Sequence, residues 1–233
     1  MTSPLDEPVL AIVGPTGVGK SSFAVEAALE FNGEIISCDS MAVYRGIDIG
    51  TDKPSIEERR GVRHHLIDVA EAGQYFSAGA FRAMALEAIG EISGRKALPV
   101  IVGGTGLYAR ALLEGIAPAP PRNEAVRERL DAMAAKGGPE RLHRLLKRLD
   151  PARAEKVPPR DKLRLVRALE VRLLSGRTMS GMIAESPFGS DGLRNVLGLC
   201  LTAPRQVLYN RIERRAEAMI HRGLVEETRE LMR

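Results

Sequence analysis

The chain has 233 residues, of which 44% are hydrophobic and 27% are charged, and its formal net charge is +4. This balance is that of a soluble globular protein, and two widely separated cysteines provide neither a disulfide framework nor a metal quartet. No apolar run approaches the ~18 residues of a membrane span, and residues 1–7 lack the basic and apolar regions of a signal peptide. We therefore expect a cytoplasmic protein that makes no contact with membranes.

Short apolar runs alternate with helical patterns in the first half of the chain. The runs predicted as strands are Val9–Val13, Glu34–Cys38, His65–Val69 and Leu98–Val102. The segments predicted as helices are Lys20–Phe31, Ser77–Ser93 and Gly106–Leu113. This alternation predicts the α/β class, with a parallel sheet that carries helices on both faces.

The alternation stops at a proline-rich connector, residues 117–121, and no convincing strand follows for about seventy residues. Helices are predicted there at Glu124–Ala135, Pro139–Asp150, Pro151–Lys156 and Lys162–Leu174, the last with Asp161 as its N-cap and Gly176 as its stop. A strand at Asn195–Leu201 and helices at Arg205–His221 and Val225–Met232 follow. We therefore predict an α/β core at residues 1–117, an all-helical insertion at 118–193 and a return to the core at 194–233.

Charge is distributed unevenly between these predicted parts. Residues 118–180 hold 16 Lys and Arg against 8 Asp and Glu, a net charge of +8, whereas the rest of the chain holds 18 against 22, a net charge of −4. A basic insertion in a mildly acidic frame favours a large polyanionic partner such as a nucleic acid. The alternative from charge alone is a set of solvated helix faces.

A phosphate-loop motif follows the first predicted strand and precedes the first predicted helix. The pattern G-x-x-x-x-G-K-[ST] is met by Gly14, Pro15, Thr16, Gly17, Val18, Gly19, Lys20 and Ser21. Backbone amides of such a loop and the helix N-terminus bind a di- or triphosphate, while Lys20 reaches its outer phosphate and Ser21 offers a hydroxyl to Mg²⁺. The context predicts a P-loop NTPase-like core.

Two further polar residues follow predicted strands of the same sheet. Asp39 comes directly after the second strand, and Thr105 lies between the fourth strand and the next helix. In open α/β sheets the carboxyl ends of the strands face the ligand crevice. We therefore expect Asp39 and Thr105 to converge with Lys20 and Ser21.

Five segments, in this order, carry a family resemblance: GPTGVGKS, SCDSMAVYRGIDIGTDKP, HHLIDV, VGGTGLY and RLVRALEV. In this combination the chain resembles the tRNA dimethylallyltransferases, which move a dimethylallyl group from its diphosphate to N6 of the adenosine 3′-adjacent to the anticodon. The resemblance implies Mg²⁺ as cofactor and, as partners, dimethylallyl diphosphate and the anticodon stem-loop of tRNA. We expect the protein to act as a monomer.

The resemblance also implies roles for individual residues. Asp39 accepts the proton of the adenine amine, Thr105 lies between the substrates, and Arg215 reaches the diphosphate, with Arg211 one helical turn away as the alternative. The residues implied to contact tRNA are Asp39, Ser40, Met41, Ala42, Thr105, Arg127, Leu163, Arg164, Leu165, Val166 and Arg167.

Two departures from the family pattern leave other functions open. Many members have Gln at the position of Ala42, and members commonly continue with a further helical segment beyond the position of Arg233. The alternatives are a small-molecule P-loop kinase, an adenylate isopentenyltransferase that acts on free nucleotides, and a truncated tRNA-binding remnant without activity. The long basic insertion favours tRNA over both enzyme alternatives.

Two other features receive a structural interpretation. Cys38 and Cys200 lie at the ends of apolar runs, so both are expected to be buried thiols. His64 and His65 resemble a ligand pair, but adjacent side chains in a strand point to opposite faces, which favours a structural role.

Overall fold

The computed structural model describes residues 3–186 and 191–233. The chain forms two compact units, one made of Met1–Gly115 with Asp191–Arg233 and the other of Ile116–Ser190. The predicted boundaries, after residues 117 and 193, lie within three residues of these divisions. Within the described ranges, no helix combines the length and apolarity needed to cross a membrane.

The first unit is built on a parallel sheet of five strands in the order β3-β2-β4-β1-β5. The strands are β1 Val9–Val13, β2 Gly33–Ser37, β3 His64–His65, β4 Leu98–Val102 and β5 Val196–Cys200. The pairing is parallel throughout, with Ile12 of β1 beside Val102 of β4 and Leu199 of β5. The predicted parallel α/β sheet is confirmed, and its carboxyl edge brings the ends of β1, β2 and β4 side by side.

The third strand was predicted too long. It ends at His65, because Leu66 and Asp68 adopt left-handed backbone conformations with φ values of 60° and 58°. Such conformations interrupt an extended run. Leu66 is nevertheless buried, and Asp68 accepts a hydrogen bond from Lys53. The apolar pattern therefore marks a loop that packs into the core.

Eleven helices accompany the sheet in the described part of the chain. Those of the first unit are α1 Lys20–Glu30, α2 Ile56–Arg59, α3 Ala78–Gly94, α4 Gly106–Leu113, α10 Arg205–His221 and α11 Leu224–Leu231. Those of the second are α5 Glu124–Gly137, α6 Pro139–Leu149, α7 Pro151–Ala154, α8 Lys162–Ser175 and α9 Met179–Glu185. The short helices α2 and α9 were not predicted. Helix α2 begins with a capping box formed by Ser55 and Glu58.

The core of the first unit lies between the sheet and its helices. Ala24, Val25 and Ala28 of α1 pack on a sheet face that includes Ile12 and Ile35. Alternate strand residues point to opposite faces. The edge strand β5 is more open: Leu197 is 65% exposed and Cys200 is also exposed. The expectation of two buried thiols is therefore wrong for Cys200 and correct for Cys38.

The second unit is entirely helical in its described part. Its core contains the fully buried leucines Leu142 and Leu146 of α6 and Leu165 and Leu169 of α8. Helix α8 is preceded by its N-cap Asp161, whose carboxylate accepts from the Arg164 amide, and is followed by Gly176 in a left-handed conformation. Both predicted boundary residues therefore have the expected capping roles.

Candidate active site

The loop between β1 and α1 has the geometry of an anion nest. Gly14, Gly17 and Gly19 all have positive φ values, of 148°, 81° and 98°. A Cβ on Gly14 would lie 2.5 Å from the carbonyl oxygen of Leu201, so only glycine fits there. Gly19 is the N-cap of α1, and within the described chain no side chain caps this helix. The first amides of α1 are therefore free to bind an anion.

Lys20 lies among other charged groups beside this loop. Its ammonium donates a hydrogen bond to the carbonyl oxygen of Pro15 at 2.9 Å. Burial lowers the pKa of Lys20, the positive charge of Arg215 lowers it further, and the negative charge of Asp39 acts in the opposite direction. The three side chains are thus close enough to influence one another's charge.

Asp39 is held rigidly at the end of β2. Its Oδ1 accepts hydrogen bonds from the amides of Met41 at 2.7 Å and Ala42 at 3.2 Å, which is the geometry of an Asx-turn. Among the described residues, none donates a hydrogen bond to Oδ2. Asp39 therefore presents one fixed oxygen and one oxygen that can accept a proton.

Thr105 joins the ends of β2 and β4. Its Oγ1 accepts from the Ser40 amide at 3.0 Å and donates to the Ser40 hydroxyl at 3.3 Å. A Cβ on Gly103 would stand 2.1 Å from the carbonyl oxygen of Cys38, so the close approach of the two strand ends requires glycine. This contact fixes the Ser40 backbone next to Asp39.

A cavity of about 440 Å³ opens at this sheet edge. The predicted site residues that line it are Thr16, Gly17, Gly19, Lys20, Ser21, Asp39, Ala42 and Arg215. The other predicted residues of this unit, Gly14, Pro15, Val18, Ser40, Met41 and Thr105, are not part of the lining and instead flank the lining residues in the same loops. Lys20, Ser21 and Asp39 thus line one cavity, whereas Thr105, which was expected to converge with them, contacts Ser40 and is not part of the lining.

Two arginines of α10 also line the cavity, and their partners differ. Arg211 donates to the carbonyl oxygens of Gly17 and Val18, both at 3.3 Å. Arg215 donates to Asp52 Oδ2 at 3.3 Å and affects the pKa of Lys20. Arg211 therefore binds the backbone of the phosphate loop, whereas Arg215 is paired with Asp52 and lies close enough to Lys20 to affect its pKa.

Sequence reasoning missed one wall of the cavity, the loop of residues 48–53. Asp52 and Lys53 line the cavity, and the Lys53 side chain is only 4% exposed. Its ammonium donates to Asp48 Oδ1, Asp68 Oδ1 and the Tyr44 carbonyl oxygen, each at 2.6 Å. The close spacing of charged residues in the DIGTDK segment could have indicated this loop, because a buried lysine needs charged partners nearby. His64, interpreted as structural, also lines the cavity.

In the second unit, two of the three arginines predicted to contact tRNA, Arg127 and Arg167, bind a buried carboxylate. Glu170 has a fully buried side chain and accepts two hydrogen bonds from Arg127, at 2.8 and 3.0 Å, and one from Arg167 at 2.6 Å. The Asn123 amide supplies a fourth at 2.9 Å, and Arg167 also donates to the Pro120 carbonyl oxygen. This network ties the connector to α5 and α8.

The remaining residues of the predicted tRNA segment divide into two groups. Leu163 is 78% exposed, and the Arg164 side chain, paired with Asp161, is 66% exposed. Leu165 and Val166 are buried in the core of the second unit. Of these four residues, only Leu163 and Arg164 therefore offer their side chains to a partner without rearrangement.

We expect Glu170→Gln to destabilise the second unit by ~3 kcal/mol, because removing one partner of a buried ion pair leaves the other charge uncompensated. Burial alone would raise the pKa of Glu170, but the bonds from Arg127, Asn123 and Arg167 outweigh it and lower the pKa from 4.5 to about 2. The ionised carboxylate thus contributes its full stability above pH 4.5, and this contribution is lost as the pH falls toward 2. Urea unfolding at pH 7 and pH 3 measures both effects.

The control for that substitution is Glu128→Gln, which changes an exposed carboxylate of α5. It should unfold like the wild-type chain at both pH values. Equal stability of the two variants at pH 7 would contradict the structural importance of the network around Glu170.

The sheet order, the glycine loop at the N-terminus of α1 and the charged cavity at the carboxyl edge define a P-loop NTPase-like α/β protein. The family model described as IPP transferase matches residues 42–233. A tRNA dimethylallyltransferase from Thermomicrobium roseum is 49% identical over 229 residues, 97% of this chain and 68% of the relative. One from Koribacter versatilis is 44% identical and matches over 98% of this chain and 74% of the relative.

Solved structures agree with these matches. The full-length tRNA isopentenylpyrophosphate transferase of Bacillus halodurans is 41% identical, with a TM-score of 0.63 over 97% of this chain and 70% of that one. A eukaryotic dimethylallyltransferase acting on tRNA is 30% identical, with a TM-score of 0.84 over 97% of this chain and 56% of that one. The chain belongs to the tRNA dimethylallyltransferase family.

Proposed function

We propose that the chain transfers a dimethylallyl group from dimethylallyl diphosphate to N6 of the adenosine 3′-adjacent to the anticodon of tRNA. The allylic C–O bond breaks, and its electron pair leaves with diphosphate. A bond forms between N6 and the allylic carbon, and the proton released from N6 passes to Asp39. The observation that carries this proposal is the meeting of Lys20, Arg215 and Asp39 around one cavity.

The cationic end of the cavity suits the diphosphate. The amides at the start of α1, the ammonium of Lys20 and the guanidinium of Arg215 stabilise the negative charge that develops as diphosphate leaves. Because these groups are fixed before the reaction, they need little reorganisation during it.

Magnesium fits this end of the cavity as a partner of the diphosphate. Among the described residues, no cluster of three or more His, Cys, Asp or Glu side chains could hold a metal by itself. Mg²⁺ is usually bound through one or two protein oxygens together with water and substrate phosphates. Ser21 is part of the cavity lining, and its hydroxyl would supply such an oxygen. When bound, the ion neutralises charge on the departing diphosphate.

The acidic end of the cavity suits the adenine. The free Oδ2 of Asp39 accepts the N6 proton, while the two amides bound to Oδ1 hold the carboxylate in place. The target base is stacked in the anticodon loop, so it has to leave the stack to reach a cavity at the sheet edge.

Two features of the helical second unit support the proposal that it binds the anticodon stem-loop. Its net positive charge favours RNA phosphates, and Leu163 and Arg164 are exposed at the start of α8. Arg127 and Arg167 contribute through the Glu170 network, which fixes where their guanidinium groups lie.

Transfer itself is tested with labelled dimethylallyl diphosphate, Mg²⁺ and an unmodified anticodon stem-loop. The expected product is the RNA carrying the label at the adenosine 3′ of the anticodon. Parallel reactions contain AMP or ATP in place of the RNA. Labelled AMP or ATP would favour an adenylate isopentenyltransferase, and RNA binding without labelling would favour a binding protein. ATP hydrolysis coupled to phosphorylation of a small molecule would favour a kinase.

We expect Arg164→Ala to weaken binding of the stem-loop and to lower the slope of log K against log salt by ~0.7–0.9, since one phosphate contact is lost. The control is Arg129→Ala, which removes an exposed arginine of α5. Fluorescence anisotropy at several salt concentrations measures both slopes. If both variants keep the wild-type slope, Arg164 is an ordinary solvated charge. Binding of dimethylallyl diphosphate should be unchanged in both variants.

A further inference from the structure

Helices α10 and α11 are attached to the first unit in an unusual way. None of their residues is buried. Side chains of these helices and of Arg222, which follows α10, donate or accept hydrogen bonds with two loops at the cavity. One is the phosphate loop, and the other is the segment of residues 48–52, called here the 48–52 loop. Packing alone therefore does not explain how these helices are held.

The principal contact from α11 is made by Glu227. Its Oε2 accepts hydrogen bonds from the amides of Asp48 and Ile49, and its Oε1 accepts one from Gly50, each at 2.8 Å. Three successive amides around one carboxylate form an anion nest. Burial alone would raise the pKa of Glu227, but the three amide bonds outweigh it and lower the pKa. Glu227 is therefore ionised at neutral pH.

Gly50 is fitted to this contact. A Cβ there would lie 3.3 Å from Glu227 Oε1 and 3.3 Å from Leu224 Cδ1, closer than most real Cβ contacts. The loop thus approaches α11 at a position where a larger residue would push the carboxylate away.

The 48–52 loop connects the Glu227 contact to the cavity through Asp52. Asp52 adopts a left-handed conformation with φ of 54° and accepts from Arg215 at 3.3 Å and from Arg222 at 3.0 Å. On its other side, Lys53 fixes the loop to Asp68. Asp52 is thereby set where it can hold the guanidinium of Arg215 beside the diphosphate end of the cavity.

We propose that Glu227 is a positioning residue for the transfer reaction: it fixes the 48–52 loop so that Asp52 presents Arg215 to the diphosphate. This inference rests on the proposed function. A long arginine side chain loses rotational freedom when it binds an anion. Holding it in place beforehand reduces that cost. Loss of Glu227 should therefore weaken diphosphate binding while the reacting groups remain intact.

The test compares Glu227→Gln with Glu226→Gln, which changes the neighbouring exposed carboxylate. We expect Glu227→Gln to raise the Kd of inorganic diphosphate and the KM of dimethylallyl diphosphate by ~10-fold and to lower kcat as well, because Arg215 also stabilises the departing diphosphate. Affinity for the stem-loop should not change. Glu226→Gln should match wild type in all four quantities, and Glu227→Asp should recover part of the affinity.

A double-mutant cycle then asks whether Glu227 acts through Arg215. In an Arg215→Ala background, Glu227→Gln should change the Kd of diphosphate by less than ~2-fold, because the coupled group is already absent. Fully additive effects would overturn the proposal, as would wild-type diphosphate affinity in Glu227→Gln or an equal loss of stem-loop binding. If Glu227 variants fail to fold, the same measurements are made on Asp52→Asn. The same selective loss of diphosphate affinity is expected. A wild-type chain that binds no diphosphate or transfers no label would instead refute the proposed function.

Discussion

Replacing Asp39 with alanine is expected to slow transfer by ~10²–10⁴-fold while the affinity for diphosphate changes only a few-fold, because a general base contributes about this much. In the proposed reaction Oδ2 accepts the N6 proton, because Oδ1 is already bound by two amides, and groups other than Asp39 hold the diphosphate. Single-turnover labelling of the stem-loop measures the rate, and calorimetry with inorganic diphosphate measures the affinity.

Asp39→Asn serves as the control for geometry. Its side-chain carbonyl can still accept from the amides of Met41 and Ala42, so the turn after β2 is preserved. It cannot take up the proton, and it should lose as much rate as alanine. A near-normal single-turnover rate in Asp39→Asn would show that the proton leaves by another route.

Much of the fold could be predicted because local patterns determine it. The boundaries of α4 and α10 coincide with the predicted ones, and α8 begins after Asp161 as its capping residue indicates. The phosphate loop was equally predictable, because its glycines and Lys20 lie within eight consecutive positions. The failure at β3 has a local cause as well: positive φ values at Leu66 and Asp68 leave no signature in an apolar pattern.

The parts of the site that were missed depend on contacts between distant residues. Glu227 and Asp48 are separated by 179 positions, so no window of the sequence contains both. The bond between Arg127 and Glu170 was missed for the same reason, since the two residues are 43 positions apart in the sequence. A basic segment predicts a polyanionic partner, but it does not reveal which arginines already bind an internal carboxylate.

Helix α8 illustrates how a motif can combine two roles. Leu165, Val166 and Leu169 are buried, and Glu170 on the same helix is buried with them. The RLVRALEV segment is therefore largely internal, and its charges organise the helical unit. Leu163 and Arg164, at the start of the same helix, are exposed to solvent. Core packing and the proposed RNA binding would thus constrain the same short stretch of sequence.

Lys20→Ala is expected to reduce transfer by ~10²–10³-fold, the usual cost of removing one preorganised group that stabilises developing negative charge. Unlike the Asp39 variants, it should also weaken diphosphate binding, because in the proposed reaction the ammonium contacts the diphosphate before and during its departure. The control is Lys136→Ala, an exposed lysine of α5, which should behave like wild type. Unchanged kinetics with dimethylallyl diphosphate together with lost ATP binding would support the kinase alternative.

The pH dependence of kcat/KM gives a second, independent test of Lys20. Burial and the charge of Arg215 lower the pKa of Lys20 below its ordinary value of 10.5, so its positive charge is lost earlier than usual as the pH rises. The alkaline decline of kcat/KM, which reports the free enzyme, should therefore begin below pH 10.5. In Arg215→Ala one cause of the lowered pKa is gone, and the decline should move to higher pH. In Lys20→Arg the early decline should disappear, since arginine stays charged throughout this range. An alkaline limb that is identical in all three proteins would mean that another group controls it, and that Lys20 does not act through its charge.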